Sequence, residues 1–151
     1  MEQDCIFCKI VRGEIPSHRV WEDEKHIAFL SIFPNTAGFT VVATKEHYPS
    51  YAFDLPDDIF IDLVRAARAV GKLLDTKLED VGRTGLVFEG EGVNHVHAKL
   101  IPMHGTRDAA WAPTGDRPTS CFVTYPGYLS THDAARADDA MLADLAKRLR
   151  E

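Results

Sequence analysis

With 151 residues, 45% of them hydrophobic, the chain has the length and apolar content of a single globular domain, residues 1–151, with its own core. A formal net charge of −6, with no lysine–arginine cluster beyond Lys147-Arg148-Leu149-Arg150, argues against nucleic acid or an acidic membrane as the main partner. One small phosphorylated ligand stays compatible with it. The N-terminus lacks the basic and apolar regions of a secretion signal and no stretch has the length of a membrane span, so the expected location is cytoplasmic.

In chain order, residues 6–11 predict a short helical turn ended by Gly13 and Pro16. Residues 19–22 and 26–32 are β-rich runs separated by Asp23-Glu24-Lys25, a hairpin pattern. A turn-rich loop over 33–38 leads to a third strand at 39–44. The period then changes: Ile59, Leu63, Val64, Ala67, Val70, Leu74 and Leu78 recur at helical spacing, with Pro56 near the start, and predict one long helix over 57–78. Residues 85–89 and 94–101 form a second hairpin turned at Gly90-Glu91-Gly92. The fold class this implies is α+β, with a five-stranded antiparallel sheet and one main helix. Beyond a core of about 5–104 lies a C-terminal extension, 105–151. It comprises an irregular stretch to Pro118, a short strand at 121–123, and a terminal helix over 133–150.

The chemistry-bearing residues cluster in two places. Cys5 and Cys8 form a Cys-x-x-Cys pair able to offer two thiolates to one ion, although the same spacing also suits two small side chains packed under a helical turn. With three cysteines in all, a disulfide framework is not expected, and Cys121 reads as a core thiol. In His95-Val96-His97-Ala98-Lys99, the alternation of a strand would set His95, His97 and Lys99 in one row. An imidazole titrating near neutrality serves as nucleophile, acid, base or metal ligand. Seven histidines offer many pairings, so spacing alone does not choose the ligands. His18, His26, His104 and His132 read as surface or loop residues.

Taken together, Cys-Ile-Phe-Cys-Lys-Ile, Gly13-Glu14-Ile15-Pro16, Trp21 to Glu24, Ala28-Phe29, Pro34, Gly38 and His-Val-His-x-x-Leu-Ile-Pro resemble the histidine-triad (HIT) family of nucleotide-handling enzymes over most of residues 5–104. The resemblance implies a homodimer in which two sheets join. It also implies that His97 attacks an α-phosphorus to give a covalent nucleotidyl-histidine, with Lys99 beside it. It further implies a structural zinc held by Cys5, Cys8, His47 and His95, as in the related galactose-1-phosphate uridylyltransferases. The implied nucleoside pocket consists of Ile6, Phe7, Ile10, Phe29, Leu30 and Ile32.

Several positions depart from the family pattern. Ser31 stands where an acid usually binds the ribose hydroxyls, and Phe88 where an asparagine helps hold the phosphate. The segment before the motif is shortened to 91–94, with Asn94 as a substitute amide, and Lys99 replaces the third histidine. Trp111, Arg107, Arg117 and 124–128 are expected to cover the pocket, the arginines binding phosphate. Two functions follow: a nucleotidyl hydrolase or transferase acting on phosphoramidates or dinucleoside polyphosphates through His97, or a nucleotide-binding regulatory or scaffold protein with little turnover.

Overall fold

The computed structural model describes residues 4–108 and 135–151. The expectations for Trp111, Arg117, Cys121, His132, the strand at 121–123 and the segment 124–128 lie outside these. Helix α1 covers Ile6–Val11, strands β1 and β2 are Arg19–Glu22 and His26–Leu30, and β3 is Thr40–Thr44. After a short 3-10 turn at Ala52–Asp54 come α2, Asp57–Lys77, then β4, Arg83–Val87, β5, His97–Met103, and α3, Asp139–Arg150. The expected strand, strand, strand, helix, strand, strand order is the observed one. The sheet runs β1-β2-β3-β5-β4, with every neighbouring pair antiparallel.

Strand alternation gives the sheet two apolar faces. On one, Ala28, Leu30, Val42, Ala98 and Leu100 meet Leu63, Ala66, Ala67, Val70 and Leu74 of α2 and Leu142, Ala146 and Leu149 of α3. The spacing of the α2 residues is the stripe of a helix with one buried face. Asp57 and Asp58 in its first turn complement the positive end of its dipole. On the other face, Ile27, Phe29, Phe39, Val41 and Ala43 are covered by Phe7 and Ile10 of α1. That second, thinner layer is where the functional residues gather.

Most boundaries shift from expectation, β4 covering Arg83–Val87 rather than 85–89, and three shifts bear on the fold and the site. The terminal helix begins at Asp139, because the Asp138 side chain caps it by accepting from the Met141 amide at 3.0 Å. Strand β2 ends at Leu30, two residues early. Strand β5 starts at His97, so His95 is not part of it: the last β3–β5 pair is Ala43 with His97. Beyond it the backbone turns, the His95 amide donating to the Val93 carbonyl at 2.8 Å and the Val96 amide to the Tyr48 carbonyl at 3.0 Å. The single row of His95, His97 and Lys99 is therefore broken at its first member.

Arg107 and His26 are likewise placed otherwise than expected. The Arg107 guanidinium donates to the carbonyls of Leu78 at 2.7 Å and Val81 at 3.1 Å, and to that of Asp75, so it is committed to the end of α2. His26 is buried in β2, its Nδ1 3.0 Å from the Asp23 carboxylate. Among the described residues no helix is long and apolar enough to cross a membrane.

Candidate functional site

Helix α1 brings Cys5 and Cys8 against the far ends of the sheet. The Cys5 sulfur lies 3.4 Å from His95 Nδ1, and Cys8 lies 3.4 Å from His47 Nδ1 and 3.5 Å from His95 Nδ1. The two sulfurs and two ring nitrogens all fall within 4.8 Å of one another. Bonds of about 2.3 Å to sulfur and 2.0–2.1 Å to nitrogen meeting at a tetrahedral angle imply sulfur–nitrogen separations of about 3.6 Å. The observed distances fit that geometry, so the cluster can hold a metal ion.

Hydrogen bonding also fixes which nitrogen of His95 faces the sulfurs. Thr44 Oγ1 is committed as a donor to the Glu46 carbonyl at 2.7 Å. His95 Nε2 sits 2.8 Å from the Thr44 carbonyl and 3.3 Å from that hydroxyl, so Nε2–H donates to them. The lone pair is left on Nδ1, the ligand arrangement that outer hydrogen bonds commonly enforce. The ring is fully buried and packs edge-on against His47, centroids 5.0 Å apart.

His97 is held differently. Its Nδ1–H donates to the His95 carbonyl at 2.6 Å, which puts the lone pair on Nε2. Phe7 stands perpendicular to the ring at 5.1 Å and also touches His95, so one aromatic side chain braces both histidines. Burial holds the His97 pKa below the usual histidine value; the Lys99 ammonium acts in the same direction, while the His95 carbonyl and Glu89 oppose both. At neutral pH the ring is therefore an uncharged imidazole, the form a nucleophile requires.

A cavity of about 220 Å³ opens beside His97. It is lined by Ile6, Phe7, Ile10, Phe29, Leu30, Ser31 and Ile32, with His97 and Lys99 at one side and Glu91, Gly92 and Val93 at its rim. The apolar positions singled out in the sequence thus converge with both catalytic candidates. Leu30 is the weakest of them, since its side chain belongs to the α2-facing core. Ser31 Oγ accepts the Phe33 amide at 3.1 Å. Asn94 is not at the cavity: its Oδ1 accepts the Ser50 amide at 3.0 Å and ties down the loop next to His47. Phe88 also points away, packing on Phe60 at 5.8 Å.

Glu89 was missed by sequence reasoning. Its carboxylate accepts a short hydrogen bond from Lys99 Nζ, and only 10% of the Glu89 and 16% of the Lys99 side chain is exposed. The signal was present: Lys99 pairs with Val87 across the hairpin, and Glu89 follows two residues on, on the same face.

This combination of a strand-borne histidine, a second histidine in a thiol–imidazole cluster, and an apolar cavity between helix and sheet defines a histidine-triad type of domain. The HIT domain profile matches residues 12–106, and the chain belongs to that family. Protein hit of Bacillus subtilis is 34% identical over 121 residues, which is 76% of this chain and 83% of that protein. An adenosine 5′-monophosphoramidase of Saccharomyces cerevisiae is 32% identical over 102 residues, covering 68% of this chain and 64% of that protein. A zinc-bound histidine triad family protein from Mycobacterium smegmatis has a similar fold, with a TM-score of 0.72 over 99% of this chain and 93% of that one at 19% identity.

Proposed function

We propose that the protein is a nucleotidyl hydrolase or transferase that acts at the α-phosphorus of a nucleotide conjugate through a covalent nucleotidyl-histidine on His97. The observation that carries this reading is the His97 tautomer. With Nδ1–H spent on the His95 carbonyl, a neutral Nε2 lone pair stands beside an apolar cavity sized for a nucleoside. Nε2 forms a bond to phosphorus as the bond to the leaving amine or phosphate breaks, and the leaving group departs with the electron pair and takes up a proton from water. Attack by water, or by another acceptor, then breaks the phosphorus–nitrogen bond and returns the neutral imidazole. Ile6, Phe7, Ile10, Phe29 and Ile32 enclose the base, Ser31 lies at the sugar, and Lys99 offers N–H donors to the phosphoryl oxygens. The similarity to an adenosine 5′-monophosphoramidase supports the substrate class.

The same reading assigns Cys5, Cys8, His47 and His95 to a structural zinc ion. The cluster geometry supports it, as does the metal in the Mycobacterium smegmatis relative. Bound there, the ion would pin α1 to the sheet and thereby hold Phe7 against His97. A homodimer is part of the proposal: β4 is a sheet edge, and its exposed Leu86 suits pairing with a second copy.

The test is incubation with adenosine 5′-phosphoramidate, a dinucleoside polyphosphate and a sugar nucleotide, followed by intact mass measurement. An added nucleotidyl mass that disappears in His97→Ala is expected. No adduct and no turnover with any of the three would refute the catalytic reading. Light scattering giving a monomer mass would remove the dimer.

A further inference from the structure

The cavity beside His97 has a charge balance unsuited to a chain of phosphates. Among the described residues lining it, Lys99 is the one cation and Glu91 the one carboxylate. Lys99 does not present its charge freely, because its ammonium is paired with Glu89 in a largely buried contact. Opposite charges this close cancel each other's field within a few ångströms. The one lining cation is therefore set between two carboxylates, Glu91 in the wall and Glu89 behind Lys99. Arg107, expected from the sequence to bind phosphate, is committed to the end of α2.

Glu89 is held where it is by its neighbours. Val87 pairs with Lys99 in the sheet, Phe88 packs away on Phe60, and Gly90 turns the chain at φ +72 against the Ser50 carbonyl. A lysine ammonium carries three N–H donors, so Lys99 can keep Glu89 and still donate to one phosphoryl oxygen. A single negative charge at the phosphorus is thereby met. Further phosphates would bring additional negative charge to two carboxylates, with no second cation among the described residues that line the cavity.

We propose that Glu89 is a specificity-determining residue: by pairing with Lys99 it restricts the site to phosphoryl groups bearing one negative charge and turns polyphosphate chains away. This rests on the nucleotide site proposed above, and its test is made by binding, independently of turnover. Titration calorimetry in magnesium-free buffer compares the P-methyl ester of adenosine 5′-monophosphate, a monoanion, with adenosine triphosphate. The two share their nucleoside, so a merely structural defect moves both affinities together.

The wild-type protein is expected to favour the methyl ester. Glu89→Gln, whose amide oxygen still accepts from Lys99, is expected to shift the ratio of affinities toward the triphosphate by at least about tenfold. Glu89→Asp should retain the wild-type preference, and Glu89→Gln combined with Lys99→Gln should lose the gain. The proposal is overturned if the wild-type protein binds the triphosphate tenfold more tightly, if Glu89→Gln leaves the ratio unchanged, or if wild type binds neither compound. The wild-type comparison decides the matter even if Glu89→Gln fails to fold. The predicted charge preference without any His97 adduct would sink the catalytic reading alone, whereas an adduct with an unmoved ratio would sink this one alone.

Discussion

Removing the metal ligands offers a direct measurement of how α1 is held. The helix has six residues, far short of what is stable in isolation. Burying Phe7 and Ile10, 8% and 6% exposed, contributes about 3–6 kcal/mol. Fixing the backbone of those six residues costs about 6–12 kcal/mol. Apolar contact alone therefore leaves α1 without a surplus, which the proposed ion, bridging Cys5 and Cys8 to His47 and His95, would supply. Cys5→Ser and His47→Ala are each expected to lower zinc content from one ion per chain and to destabilise the fold by at least about 3 kcal/mol. For a chain of this size that is a fall in melting temperature of roughly 6–12 °C. Elemental mass spectrometry of the purified proteins gives the metal content, thermal melting gives the stability, and hydrogen exchange shows whether the loss is concentrated in residues 5–11. Full metal content in both variants would show that the ligand set is wrong.

Three further outcomes are expected. His104 donates from Nε2 to the Ala37 carbonyl at 2.8 Å and from Nδ1 to Asp80 at 2.9 Å, an arrangement that needs both ring protons. Its pKa is accordingly raised, first by the Ala37 carbonyl and then by Asp80. The stabilisation is complete below the unfolded-state value and is lost as pH rises through the folded one. Chemical denaturation should thus show His104→Gln costing more at about pH 5.5 than at about pH 8.5, and equal costs would contradict the assignment. Gly90→Ala places a Cβ 3.0 Å from the Ser50 carbonyl oxygen at φ +72 and should destabilise by about 1–3 kcal/mol in the same assay; a neutral result would mean the turn relaxes freely. Lys99→His should retain or raise turnover of adenosine 5′-phosphoramidate, since Glu89 can accept from the imidazole; complete loss would give lysine a role of its own in the reaction.

The parts legible in the sequence were those governed by local periodicity. The five strands, the α2 stripe and the β4–β5 hairpin follow from spacings of two and three-to-four residues, whereas the cavity residues followed from the family resemblance. The cluster of Cys5, Cys8, His47 and His95 followed from family resemblance, because four positions spread over ninety residues leave no local trace. What escaped were places where one long-range contact overrides the local pattern. His95 reads as strand, yet the β3–β5 ladder ends at the pair of Ala43 with His97, and the His95 amide turns to the Val93 carbonyl instead. Asn94 has the right chemistry for a phosphate but is taken by the Ser50 amide, as Arg107 is taken by the carbonyls closing α2. His26 opens the expected strand but was read as a surface or loop residue; it is buried, with Asp23 at the turn accepting from both its amide and its ring.

Residue 95 serves the cluster with its ring and His97 with its backbone carbonyl. These two contributions obey different rules of substitution. Every amino acid has the carbonyl, but few have the ring. A redesign could therefore replace the ligand chemistry around α1 with an apolar plug or a disulfide and still leave an acceptor for His97 Nδ1. The demand on such a redesign would be positional: the new side chain at 95 must anchor the turn near Thr44 as firmly as the imidazole does. The proposed metal site and the proposed nucleophile share one residue here without sharing one atom, which makes them separable by engineering.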